Sequence, residues 1–418
     1  MLGGAVFVLT LVLVVVRPRG VSEAWFAAAG GLAMVLLGLV TPGGAVAALV
    51  ANVPLFGFFL GLMLIAALAD EAGFFAWVAQ LAVERAGGSP RRLLVNVFVV
   101  GALITAFLTN DATALVLTPV VHILVARLRL PAAPFVFACT FVADAASFLL
   151  PVSNPVNLIV LGGSGSALGP FLRFLLLPSL LVLAWNLGFF LIFFRRSLGG
   201  TLDPSLLPAI GADPRYLRAV SVALGAIALG YVAATTSGVS VPVVSLAGAA
   251  LLAFLASAFG RLRPRRLARG VSWSLFPFVG GMVLVVQGVE RLGLGPLVAG
   301  WVFELSSGST LAGVVAVVMG VALGANLINN VPMALVAASA LANLPAGAAN
   351  AAALGHAAVL GADLGPNVSV VGSLATMLWL LMLRRRGLAI SSLDYLRFGI
   401  LVTPPALLLG ALALWLAI

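Results

Sequence analysis

Apolar runs separated by short hydrophilic gaps make up almost the whole chain. A helix that crosses a bilayer needs about 20 such residues. Arginines and Pro/Gly turns divide uninterrupted runs at roughly residues 2–16, 24–40, 48–69, 171–194, 218–236, 241–260, 271–288 and 396–416. Two further runs, 132–165 and 349–383, are interrupted. In the first, Pro151 and Pro155 each remove an amide donor and disfavour helix at the residue before, which predicts a break around Ser147–Asn157. Two more segments, 93–128 and 310–346, carry polar residues at their centres, Thr109-Asn110-Asp111 in one and Ile328-Asn329-Asn330 in the other. Residues 74–85, with aromatics on one side and charge at the end, suit a helix lying in the membrane interface.

The interruptions recur at one spacing. Asn110 and Asn329 stand 219 positions apart, and so do Asp144 and Asp363. Two matched pairs at one offset predict an internal repeat, and paired interruptions of this kind point to the binding site of a transporter. Arg91 and Arg92 precede the first hairpin segment and Arg127 and Arg129 follow it, whereas no arginine flanks the second. If arginines face the cytoplasm, the two halves run in opposite directions. Of the 22 basic residues only Arg173 and Arg291 then lie outside. The expected architecture is an all-α polytopic membrane protein of two inverted repeats, with about ten transmembrane spans (two broken) and two re-entrant helical hairpins. Residues 1–196 form the first repeat, 197–217 a cytoplasmic linker and 218–418 the second, with both termini on the outer side of a cell inner membrane.

Composition narrows the function. With 63% apolar and 8% charged residues and a mean hydropathy of +1.23, the chain lies far from the soluble balance. Its net charge of +10 comes from arginines in the gaps, so it reads as a topology signal and no nucleic-acid partner is expected. There is no lysine, which excludes a Walker A loop and with it an ATPase within this chain. The Gly163/Gly165 stretch fails the dinucleotide spacing and reads as an outer turn, and the first run lacks the flanks of a cleaved signal. A transporter, not an enzyme, is expected, without cofactor or metal.

The candidate chemistry sits at the interruptions. An ionised carboxylate at the centre of a membrane costs about 3 kcal/mol, so Asp111, Asp144 and Asp363 must meet water, a partner or a proton. Three explanations compete for Asp144 and Asp363: titration during transport, capping of the following half-helix, or pairing with an arginine. Asn110, Asn329 and Asn330 offer donors and acceptors suited to a neutral polyhydroxy solute, or they satisfy their own tip backbone. Thr109, Ser153, Asn154, Asn157, Ser369, Gly372, Ser373 and Thr376 complete the candidate cavity. Cys139 is the one cysteine and reads as an apolar core residue, since a trithiolate site needs three sulfurs. His122 and His356 lack ligand-spaced partners, and Trp25, Trp77, Trp273, Trp301 and Trp379 read as anchoring and packing residues.

The stretches 109–119, 141–158, 329–333 and 361–380 closely resemble the arsenical pump membrane protein family, arsenite and antimonite efflux transporters of the wider ion-transporter superfamily. The resemblance covers essentially the whole chain. It implies secondary active export of trivalent arsenic and antimony, as neutral hydroxides, in exchange for protons. The hairpin tips depart from the Ser-Asn-Thr tips of the superfamily's dicarboxylate carriers, which speaks against a dicarboxylate or sodium-coupled substrate. Two other readings stay open: a proton-coupled cation antiporter or organic-anion carrier of the same superfamily, and the membrane subunit of a pump driven by a separate arsenite-stimulated ATPase. Single cysteines test the layout. Those at 346–350 should react with an impermeant thiol reagent only from outside and those at 88–90 or 129–131 only from the cytoplasm; reversed labelling at either hairpin would refute inverted repeats.

Overall fold

The computed structural model describes residues 2–418 except 166, 208–210, 292, 346–349 and 389. The expected outer turn at 163–166 and the loop at 346–350 therefore lie partly outside the described residues. All regular structure among the described residues is helical: α1 (Leu2–Val16), α2 (Glu23–Leu36), α3 (Pro42–Ala51), α4 (Val53–Glu71), α5 (Phe74–Glu84), α6 (Pro90–Phe107), α7 (Thr118–Arg127), α8 (Ala132–Ala145), α9 (Pro155–Gly165) and α10 (Leu168–Phe193) in the first half. The second half holds α11 (Pro214–Ser237), α12 (Val241–Ala258), α13 (Pro264–Gly270), α14 (Leu275–Glu290), α15 (Leu294–Gly308), α16 (Thr310–Ile328), α17 (Asn330–Ala342), α18 (Ala351–Leu364), α19 (Leu374–Arg385) and α20 (Ser392–Trp415). Eight of the described helical segments are long and apolar enough to cross a membrane by themselves.

Local chemistry sets the helix ends. Ser89 accepts from the Arg92 amide at the start of α6, Asp213 accepts from Arg215 and Tyr216 at the start of α11, and Ser391 and Asp394 form a reciprocal capping box on α20. The run read as one span at 48–69 is divided: α3 ends at Asn52, whose side-chain amide donates to the Ala48 carbonyl, and Pro54 starts α4 afresh. Helix α5 buries Phe75, Ala79, Ala82 and Val83 and packs against α4, α6 and α7, so one face covers the first hairpin.

Two glycine-mediated crossings hold the scaffold. Helices α2 and α14 touch so closely that a Cβ on Gly281 would lie 2.3 Å from the Ala27 carbonyl, and one on Gly31 would lie 2.9 Å from the Gly281 oxygen. Helices α4 and α12 cross in the same manner, with Gly61 against Ser245 at 2.6 Å. Small residues allow such approach where dispersion between backbones is the main attraction. A second hub is aromatic: Phe137 and Phe141 of α8 interlock with Phe190 of α10, Trp379 of α19, and Tyr395 and Phe398 of α20. It joins the two halves of the chain, and Cys139 lies within the same core, fully buried. Trp379 is buried there, whereas Trp25, Trp273 and Trp301 are exposed.

Overpacking in a tight core costs about 1–3 kcal/mol or more, and at Gly281 the obstruction is backbone that cannot turn aside. Gly281→Val should therefore lower the melting temperature of the detergent-purified protein by several degrees or abolish its accumulation. Gly188→Ala in α10, where nothing lies within 4 Å of the added Cβ, should match or exceed the parent.

Candidate functional site

The first hairpin turns at residues 108–111. Thr109 accepts from the Ala112 amide through its hydroxyl, and the Asn110 side-chain carbonyl accepts from the Asp111 amide at 2.9 Å. Beyond the tip, residues Ala112–Leu117 form a π-helical segment. Pro119 has no amide to donate to the Leu115 carbonyl, which favours the wider turn. Thr113 stitches this segment back to α6, through the Thr105 hydroxyl at 2.8 Å and the Gly101 carbonyl at 3.2 Å.

Between α8 and α9 the chain leaves helical geometry for residues 146–154, and the hairpin tip docks onto this break. The Asn110 amide donates to the Ser153 carbonyl at 3.2 Å, and the Ser153 hydroxyl donates to the Ala106 carbonyl at 3.1 Å. Asn157 reaches back to the Ser147 and Leu150 carbonyls, satisfying groups that the break frees. The Asn110 side-chain amide lies 3.5 Å from one Asp144 oxygen.

The second half repeats the plan with different contacts. Asn329 stands at φ 76°, ψ 154°, caps α17 by accepting from Val331, and donates to the Val371 carbonyl at 3.3 Å. Asn326 binds the Gly365 carbonyl and accepts from Ser369, which ties α16 to the turns between α18 and α19. Gly372 is a close-packing position, since an added Cβ would lie 2.6 Å from Pro366. Asn330, Ser373 and Thr376 are buried.

The two breaks also meet each other. Asn154 donates to Asp363 at 2.8 Å, and Asn367 donates to the Phe141 carbonyl at 3.2 Å while accepting from the Tyr395 hydroxyl. Asp144 and Asp363 are only 2% and 1% exposed, each keeps one oxygen without a hydrogen-bond partner, and neither forms an ion pair with a described residue. Asp144 lies within Coulombic reach of both Asp111 and Asp363.

One cavity reaches this cluster. It has a volume of about 410 Å³, is floored by Thr109, Asp111 and Pro155, and opens between Asp70, Glu71 and Arg266. That mouth is on the arginine-rich face, where Arg263 approaches Glu71 at 3.9 Å. Among the residues singled out from sequence, Thr109 and Asp111 line the cavity. Asn110, Ser153, Asn154 and Asn157 lie behind it in hydrogen bonds, and the second-half residues are packed around their own break. Sequence reasoning passed over the mouth residues, although two adjacent acids at the end of an apolar run were the available signal. Asn326 and Asn367 were missed as well, because each looks like an ordinary polar residue until the break it braces is seen. His122 and His356 lie outside this cluster, and the described residues hold no group of three metal-binding side chains.

Residues 2–418 match the family model described as arsenical pump membrane protein. The chain is 34% identical to the arsenical pump membrane protein of Yersinia enterocolitica and 33% identical to that of Escherichia coli K12, in both cases over all of this chain and 99% of the relative. Among solved structures, it is similar to the YdaH transporter of Alcanivorax borkumensis, with a TM-score of 0.60 at 15% identity over 89% of this chain and 86% of that one. That transporter's topology is described as unusual, and the likeness shows a shared fold. With full-length relatives above 30% identity and a family model spanning the chain, this protein belongs to the arsenical pump membrane protein family.

Proposed function

We propose that the protein exports trivalent arsenic and antimony, as their neutral hydroxides, in exchange for protons. The observation that carries this reading is the cavity that ends on Asp111, at the point where hairpin tip and helix break meet. A neutral trihydroxide needs both donors and acceptors around it. The Thr109 hydroxyl supplies both, and the Asp111 carboxyl donates only when it carries a proton. Solute and proton then interact through one group, which is the requirement for linked fluxes. Asp144 and Asp363 extend the titratable cluster inward, with Asn110 and Asn154 holding them. Asn157, Asn329, Asn330, Ser153, Gly372, Ser373 and Thr376 keep tips and breaks in register.

The architecture proposed for this transport is two inverted repeats, 1–196 and 218–418, joined by the linker 197–217. Ten spans, two of them broken, surround two re-entrant hairpins in the inner membrane. Shifting α2 by 219 positions lands on α12, and shifting α4 lands on α14, so the α2–α14 and α4–α12 crossings are images of one another. That correspondence supports the repeat. The arginine bias supports a cytoplasmic mouth and outward termini.

Four substitutions test the chemistry. Replacing the coupling carboxylate in Asp111→Asn, Asp144→Asn or Asp363→Asn should cut arsenite accumulation driven by a pH gradient in everted vesicles at least tenfold, while downhill exchange survives in part. Asn is a good helix cap, so a capping role predicts parent-like accumulation in all three variants, and that result would refute coupling through these residues. A pump driven by a separate ATPase docked on the exposed arginines of α13 predicts instead that purified protein in liposomes moves no arsenite under a pH gradient until ATP and the partner are added. Cys139→Ser should retain transport within about twofold of the parent, since hydroxyl and carboxyl contacts, not sulfur, hold the solute. Loss of transport at normal membrane abundance would show that the thiol takes part.

A further inference from the structure

A second cavity, of about 900 Å³, lies at the opposite end of the molecule from the arginine-rich mouth. The α3–α4 junction, α9, the α11–α12 turn and Leu335 of the second hairpin line it. Its polar lining consists of neutral side chains such as Asn52, Thr235, Thr236 and Ser240, and no ionisable residue among the described ones lines it. The mouth cavity, by contrast, carries Asp70, Glu71, Asp111 and Arg266.

The two cavities use the same two helices, one turn apart. On α4 the mouth cavity is lined by Phe59 and Met63, and the opposite cavity by Leu55, with Asn52 at the α3–α4 junction. On α9 the mouth cavity touches Pro155, and the opposite cavity touches Leu158 and Ile159. Four residues are one helical turn, a rise of about 6 Å. Between the two water-accessible spaces therefore stand apolar side chains on both helices, Phe59 and Leu55 one turn apart on α4 and Leu158 on α9. Phe59 is the most buried of the three, at 5% exposure, while Leu55 and Leu158 are half-buried.

We propose that the 900 Å³ cavity is the exit vestibule for an uncharged polyhydroxy solute, and that Phe59, Leu55 and Leu158 form the barrier the solute passes when the α4–α9 seam opens. The proposal rests on the transport reading above and adds the route. An apolar barrier excludes ions and protons at a high desolvation cost, whereas a neutral hydroxide sheds fewer strong water contacts. The uncharged vestibule fits the same solute, because a carboxylate there would hold cations and an arginine would hold anions at the point of release.

Accessibility tests the route in a Cys139→Ser background, in right-side-out vesicles treated with an impermeant maleimide. Leu158→Cys should react from outside, and its modification should block arsenite efflux. Met63→Cys, one turn inside the barrier, should react slowly from outside in the otherwise unaltered protein. Adding Phe59→Ala should speed that reaction at least tenfold. Where Phe59→Ala fails to accumulate in the membrane, Leu55→Ala provides the same readout at a half-buried position. Unchanged outside reactivity of Met63→Cys in an abundant barrier variant, or efflux unaffected by complete modification of Leu158→Cys, would overturn the proposal. The labelling rates depend on neither proton coupling nor the identity of the solute, so their failure is distinct from failure of the function proposed above.

Discussion

Two carboxylates buried in the middle of an apolar bundle, with no cation among the described residues paired to either, are the constraint around which this structure is arranged. Asp144 and Asp363 make hydrogen bonds to Asn110 and Asn154 and form no ion pair with the described residues. Isolated charge at that depth is costly, so the chain must bring polar groups to it. It does so by breaking α8–α9 and α18–α19 and by turning two hairpins at the same level. Every freed amide and carbonyl then needs a partner of its own. The Ser153, Asn157, Asn326 and Ser369 contacts meet that need.

The cluster is not symmetric in use. The first tip presents Thr109 and Asp111 to a cavity, whereas the second tip is spent on its own break, with Asn329 donating to Val371 and Gly372 pressed against Pro366. The Asn154–Asp363 bond crosses between the halves, so a change of charge at either break is felt by the other. The most closely packed parts are the glycine crossings α2–α14 and α4–α12 and the aromatic hub. Helix α4 belongs to that close-packed frame and also walls both cavities. Movement of the α9 side against the close-packed α4 is therefore the simplest way to exchange one opening for the other.

Much of this was legible in the amino-acid sequence, because polar residues in a long apolar run have few explanations. Asp111, Asp144, Asp363 and the Pro151/Pro155 break stand out for that reason, and the recurrence of Asn110 at Asn329 and of Asp144 at Asp363, 219 positions on, marks the matching polar interruptions. Features that depend on which helix faces meet were not legible. Gly281 is one of 46 glycines, and nothing local marks it as the one that touches Ala27. Asp70 and Glu71 look like an ordinary helix end until α13 is placed beside them to form a mouth. The division of the third span at Asn52 was signalled by Pro54, but an apolar stretch of that length hides a short kink.

In the transport cycle proposed above, one buried carboxylate cluster carries both the proton and the means of moving the solute. The most direct measurement is proton flux in liposomes containing only the purified protein, with a pH-sensitive dye inside and no ATP. An arsenite gradient imposed across the membrane should drive protons in the opposite direction, with the dye signal lost in the variant that removes the coupling carboxylate. Arsenite movement with no change in internal pH would contradict the account.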